Sequence, residues 1–174
     1  MLIWTLDLGG RTGWAMGPAG KRPTSGSWVL KGDDDTREEA WARLGRRLRD
    51  HLSVERPDLI VIEAALEPGG QKSGHAAANT FGYLGAVYAV AGCYRVRVAA
   101  AHAQSISKHF IGRGRVGDRK LKKQLFIDRC HLLGLLDRDC RDDNRADAVA
   151  LHDYASARWG RAAPKELVLF GGSP

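Results

Sequence analysis

The chain has 174 residues, 44% of them hydrophobic and 27% charged, which suits one domain of ordinary size with a real core. No stretch approaches the roughly 18 to 20 consecutive apolar residues of a membrane span, and Met1 leads into a strand pattern rather than a signal peptide, so a soluble cytoplasmic protein is expected. Lys+Arg 27 against Asp+Glu 20 leaves a net charge of +7, which admits a polyanionic partner without identifying it.

Residues 2–8, Leu-Ile-Trp-Thr-Leu-Asp-Leu, read as a strand, and Gly9-Gly10-Arg11-Thr12-Gly13 as a turn with too many glycines to extend it. A second strand covers 13–16, Gly17-Pro18-Ala19-Gly20 breaks the pattern, and 24–30 resumes it with Trp28 and Val29. The opening third therefore predicts a three-stranded antiparallel meander. The period then changes. Thr36-Arg37-Glu38-Glu39 has the capping-box pattern, Ala40, Leu44 and Leu48 follow at helical spacing, and Arg46, Arg47 and Arg49 suit the negative end of a helix over 36–51. After Pro57, Leu59-Ile60-Val61-Ile62 is apolar on both faces, as in a central strand covered by helices on each side, and it ends in Glu63.

Residues 64–74 form a loop containing Gly and Lys, and 75–91 a long helix of small residues in which Gly82 and Gly85 allow close helix contact. A further strand over 94–99 alternates Val with Arg, a short helix covers 105–110, and 112–117 is a flexible basic loop. Asp118 caps a helix carrying Leu121, Leu125 and residues 127–132, and a last helix runs over 144–159. The apolar run at 167–170, Leu-Val-Leu-Phe, has no place in this scheme. Hairpin strands followed by strands alternating with helices imply one mixed α/β sheet with helices on both faces, in a single domain over 1–174.

Cys93, Cys130 and Cys140 match neither a disulfide framework nor a C-x-x-C metal knuckle, so reduced, mostly buried thiols are expected. His75, His102, His109, His131 and His152 are scattered and read as structural or solvated, and Trp4, Trp14 and Trp41 as core.

Carboxylates stand where a core does not favour them. Asp7 closes an apolar strand and Glu63 closes the most hydrophobic one, and a lone buried carboxylate is costly. If these strands are parallel neighbours, joined by a right-handed crossover through the 36–51 helix, both acids project into one crevice. In Asp142-Asp143-Asn144-Arg145-Ala146-Asp147, Asp143 and Asp147 are four apart and share a helix face that brings them to the same place. Oxygen ligands without a His/Cys cluster favour a hard ion, Mg2+ with Mn2+ as substitute, and two such ions about 3.5 to 4 Å apart suit phosphodiester hydrolysis. Ordinary readings remain open beside this one: Asp7 as a turn residue, and Asp142 or Asp143 as an N-cap. Glu63 has no local turn role, and Asp147 lies inside the helix, where capping does not account for it.

These residues resemble the RuvC family of Holliday-junction resolvases within the RNase H-like superfamily, and more closely its short phage-type members. The resemblance spans roughly residues 2–154 and rests on LDLGGRTGWA with Asp7, DLIVIEA with Glu63, and DDNRADAVAL with Asp143 and Asp147. It implies a five-stranded sheet in the order 3-2-1-4-5, a homodimer, branched DNA as partner, and paired symmetric nicks in four-way junctions with two Mg2+ ions per site. A bacterial or phage-infected cell is the implied setting. SISKHFIGRGRVGDRKLKKQ looks like the family segment with one basic residue before a Gly-rich loop and a second opening the next helix, here Lys108 and Lys120. A lysine near the ions holds the scissile phosphate or offsets developing charge. Arg113, Arg115 and Arg119 extend the basic surface along the phosphate backbone, while Lys122 and Lys123 read as an ordinary solvated helix face.

Two positions depart from the family pattern. Bacterial members carry an aromatic wedge near the position of Leu66, and a leucine intrudes between bases without stacking on them. Asn144 stands where those members place an acid, so Asp143 must substitute. Four other readings stay open. LDLGGRTG is similar to the phosphate-binding turn of actin-like sugar kinases, which need two domains; the others are a broader branched-DNA nickase, an RNase H-like RNA-processing nuclease, and a non-catalytic junction-binding protein.

Overall fold

The computed structural model describes residues 1–65 and 74–160. Its elements are β1 (Leu2–Asp7), β2 (Arg11–Pro18), β3 (Thr24–Val29), α1 (Arg37–Val54), β4 (Leu59–Glu63), α2 (Gly74–Cys93), β5 (Arg97–Ala101), α3 (Ala103–Ile111), α4 (Arg119–Leu132) and α5 (Asp143–Trp159). The strands form one sheet in the order β3-β2-β1-β4-β5. The first three pair antiparallel, and β4 joins β1 and β5 in parallel, so the expected mixed sheet is what forms.

Strand alternation divides the core in two. Ile3 of β1 and Leu59 and Val61 of β4 face a cluster with Ile106, Phe110, Phe126, Val149 and Leu151 from the last three helices. Trp4, Leu6, Ile60 and Ile62 face the other way, onto Ala40, Leu44, Leu48 and Leu52 of α1 and Tyr83, Val87 and Ala91 of α2. Each fully buried Leu or Ile contributes about 2 kcal/mol, so these stripes rather than helix propensity hold the layers. The α1 capping box closes as its sequence predicts: the Glu39 backbone N–H donates to Thr36 Oγ1 at 3.2 Å, and the Thr36 N–H donates to Glu39 Oε2 at 2.8 Å.

Several local expectations change. β2 starts at Arg11 and runs through Gly13 and Gly17, because antiparallel pairing to β1 covers Gly13 to Pro18 and pairing to β3 extends the strand back to Arg11. β5 starts at Arg97 rather than 94, since α2 ends in a turn in which Val96 N–H donates to the Ala91 carbonyl and Arg95 takes φ 57°. The close contact expected at Gly82 is real, with the Trp41 ring 2.0 Å from where a Cβ would stand, whereas Gly85 faces open space. Trp4 and Trp28 are buried beside His51, and Trp14 and Trp41 only half-buried. Cys130 is buried and Cys140 half-buried, but Cys93 is exposed; all three are free. His152 is buried with Nε2 3.1 Å from the Gly17 carbonyl oxygen, a structural role. Among the described residues no helix is long and apolar enough to cross a membrane. Leu66 and residues 167–170 lie outside the described residues.

Candidate functional site

The alternation that splits the core also places the acids. Asp7 is two residues beyond Thr5 and four beyond Ile3, and Glu63 is two beyond Val61, so both share the face covered by α5. β1 and β4 pair in parallel with Leu6 beside Ile62, and one further step along that register sets Asp7 beside Glu63 at the strand ends.

α5 reaches these acids because β2 lets it. Gly13 pairs with Asp7 across β1 and β2, and a Cβ on it would lie 1.8 Å from the Asn144 carbonyl oxygen, so only glycine admits the first turn of α5 here. Thr5 Oγ1 then donates to the Ala148 carbonyl oxygen at 2.8 Å, tying the helix to β1. One turn into α5, Asp147 enters a cleft lined by Asp7, Glu63, Ala103, Ile106, Lys122 and Phe126, with a volume of about 10 Å³. Of the four acids expected to converge, Asp7, Glu63 and Asp147 line one cleft and Asp143 does not.

Their electrostatics are those of carboxylates held against their preference. Burial pushes the Asp7 carboxyl well above its usual range; Asp147 and Glu63 push it further, and Lys122 and Lys123 oppose them. Burial also raises Glu63, again opposed by Lys122. Asp147 is pushed up to about 6 by burial, with Lys122 pulling it down and Glu63 pushing it up.

The other acids of the α5 segment divide their roles. Asp142 is the N-cap, accepting from Asn144 N–H at 3.0 Å and Arg145 N–H at 3.3 Å, and Ser27 Oγ donates to it at 2.6 Å. Burial acts to raise its carboxyl, but the Ser27 hydroxyl and these backbone bonds hold it below its usual range. Asp143 opens the helix at the rim, paired with Lys123 and accepting from Asn144 Nδ2 at 3.2 Å.

Lys122 and Lys123 are thus not a solvated face. With Asp118 as N-cap, Lys122, Phe126 and Cys130 follow at four-residue spacing on the buried side of α4, and Lys122 Nζ stands 4.9 Å from the Phe126 ring centroid. That stripe was present in the sequence, but Leu121, Leu125 and Leu132 offered a competing apolar face, and Leu121 and Leu132 turn out exposed. Lys120, read as the lysine of the site, is exposed in the first turn, its backbone N–H donating to Asp118.

The remaining basic positions lie on α3, at the start of α4 and on the chain between them. Ala103 and Ile106 of α3 line the cleft, and Lys108 is exposed in the last turn of that helix. Gly112 ends α3 with φ 74°, a left-handed conformation that favours glycine, and the chain folds back so that a Cβ on Gly114 would lie 4.0 Å from Lys108 Cβ. Arg113, Arg115 and Arg119 are exposed on this return and on the start of α4, outside the described ion pairs.

Among the described residues no three acid, His or Cys side chains stand close enough together to grip one metal ion. The donor set still suits a hard cation, being oxygen-only, buried and mutually repelling, with Lys122 in the cleft supplying the opposing charge.

No protein-family model and no curated protein matches the chain. Solved structures do. A Thermus thermophilus RuvC structure superposes with a TM-score of 0.69 at 23% identity, covering 92% of this chain and 97% of that one. T. thermophilus RuvC in complex with a Holliday junction substrate gives a TM-score of 0.70 at 17% identity, with the same coverage. The chain has the RuvC type of RNase H-like fold.

Proposed function

We propose that this chain, built on the RuvC fold, is a single-domain endodeoxyribonuclease that resolves four-way DNA junctions by paired, metal-dependent nicks. The meeting of Asp7, Glu63 and Asp147 in one cleft, with an exposed basic loop alongside, carries the reading. The T. thermophilus protein that shares the fold has been solved on a Holliday junction, which favours branched DNA among nucleic acids.

In this reading Asp7, Glu63 and Asp147, with Asp143 at the rim, hold two Mg2+ ions, with Mn2+ as a substitute. Such ions would supply the positive charge that activates an attacking water and offsets a leaving oxygen. The chain's own groups do the rest. Lys122 offsets the acids when no cation is bound and is in position to meet a scissile phosphate once one is, the role that sequence resemblance assigned to Lys120. Lys123 steadies Asp143 by pairing with it. Lys108, Arg113, Arg115, Arg119 and Lys120 bind the phosphate backbone at the side of the cleft. Leu66, outside the described residues, is assigned to junction opening on resemblance alone.

Paired nicks need two sites in fixed relation, and a two-fold homodimer matches the symmetry of a junction. α2 favours this: Phe81 and Tyr88 are 56% and 49% exposed, and the open Gly85 and Gly92 continue their stripe at alternating four- and three-residue spacing.

The test is a nicking assay with Mg2+ on a labelled four-way junction, with a flap, a linear duplex and an RNA–DNA hybrid in parallel. Paired, symmetry-related cuts confined to the junction are expected. Cutting of every branched form would make the protein a debranching nuclease. Hybrid cleavage would move it to RNA processing, and binding without cutting would make it a junction-binding module.

A further inference from the structure

Lys123 of α4 and Asp143 of α5 form an ion pair beside the acid cleft, near enough for the lysine charge to act on both Asp7 and Asp147. Both Asp143 oxygens are engaged: Oδ2 accepts from Lys123 Nζ, and Oδ1 accepts from Asn144 Nδ2 at 3.2 Å. Held in this way, Asp143 stays out of the cleft that Asp7, Glu63 and Asp147 line. Yet it lies one helical turn before Asp147 on the same face of α5, and Cβ atoms so placed are only about 5 to 6 Å apart. A turn of the Asp143 side chain is all that separates it from sharing a ligand with Asp147.

The pair is placed to exchange partners. Its lysine and aspartate side chains are 34% and 27% exposed, so solvent reaches both, and a solvated ion pair holds its members only modestly. A divalent cation competes for the carboxylate, and a backbone phosphate competes for the ammonium. When both arrive, no charge is left unpaired. A cation that arrives alone must strand Lys123 beside a second positive charge, which Coulomb repulsion opposes.

We propose that Lys123 is a latch on Asp143. While the two are paired the chain takes one divalent ion, between Asp7, Glu63 and Asp147; Asp143 is freed to complete a second ion's site only when a substrate phosphate takes over Lys123. This rests on the reading of those three acids as a cation site. By linkage, the bound phosphate and the second ion strengthen each other equally, so the full ion set assembles on DNA rather than ahead of it.

Counting bound Mn2+ on the full chain, from the paramagnetic resonance of the free ion and without DNA, tests this apart from any nicking. Wild type is expected to bind one ion. Lys123→Met is expected to bind a second, roughly fivefold to tenfold more tightly than wild type does, the hold of one solvated ion pair. Lys123→Arg, which keeps the pair, is expected to match wild type. The double variant Lys123→Met, Asp143→Asn is expected to return to one ion, which separates a latch from a general loss of positive charge. Dimethyl phosphate, a phosphodiester without bases, is expected to bring the second ion to wild type and to leave Lys123→Met unchanged. The proposal is overturned if Lys123→Met binds Mn2+ as wild type does, if its second ion persists without Asp143, or if wild type is indifferent to dimethyl phosphate. First-ion binding by Asp7→Asn equal to that of wild type overturns instead the cation-site reading beneath it.

Discussion

Asp7, Glu63 and Asp147 are carboxyls that burial drives towards their protonated forms, with Lys122 as the near counterweight. Neutralising any one of them removes charge from the cleft but leaves the basic surface intact. Asp7→Asn, Glu63→Gln and Asp147→Asn are therefore each expected to lower junction nicking on the order of 1000-fold or more while binding in gel shifts is retained. Joint loss of binding in all three would count against the site. The raised acids also set a pH dependence. Asp147 titrates near 3.8 when unfolded and about 6 when folded, so the folded chain holds more protons between these values. Its contribution to stability is full below about pH 3.8 and is lost as pH rises through about 6, with Asp7 acting in the same sense. His152, lowered by burial, acts oppositely, losing its contribution as pH falls below 6.5. The comparison that isolates the carboxyl is Asp147→Asn against wild type in chelator. The variant's melting temperature is expected to gain on wild type from pH 4 to 7, and Mg2+ to cancel the gain. Removing Lys122 by Lys122→Met is expected to move the midpoint of that gain to higher pH. A constant difference across the range would show that burial does not control Asp147.

Among the elements, α5 decides whether a site exists, and its approach is set by a residue that does no chemistry. Gly13→Ala puts a Cβ into the Asn144 carbonyl, which is backbone and has no flexible end to swing away. We expect a cost of about 1 to 3 kcal/mol in urea unfolding and a fall in nicking larger than the fraction unfolded accounts for. Gly82→Ala, which crowds Trp41 between α1 and α2, is expected to cost a similar amount while the folded fraction keeps its specific activity, because that packing lies on the other face of the sheet. Equal effects of the two on activity would deny α5 its positioning role. Both glycines were visible in the sequence. Gly82 was read there as a contact, but Gly13 was read as a turn, because a close approach between a strand and a helix 131 residues later leaves no mark near either one.

For the molecule as a whole, the exposed stripe on α2 and the basic flank of α3 and α4 face different tasks. If α2 forms the dimer, Phe81→Asp is expected to shift light-scattering mass from two chains to one and to uncouple the paired nicks into independent single nicks. An unchanged mass would remove α2 as the interface. If the basic flank tracks phosphates, Arg113→Ala and Arg115→Ala are each expected to reduce the slope of log affinity against log salt by about 0.9, across all junction sequences alike.

Much of this architecture could be read along the chain. Apolar strand runs placed Asp7 and Glu63 at strand ends, and the capping patterns at Thr36 and Asp118 marked helix starts, because these signals are local. Asp147 drew notice because an acid between buried alanines has no local use. Other features depended on which surfaces meet. Lys122 looks like its neighbours until α4 packs through Phe126 and Cys130, and only then does its ammonium enter the cleft rather than solvent. Gly13 acquires its role only when the Asn144 carbonyl arrives, and Asp142 separates from Asp143 only when Ser27 reaches it from β3. Local pattern specifies each element and the face it buries; charge pairing and steric clearance between elements distant in sequence exist only after those faces are in contact.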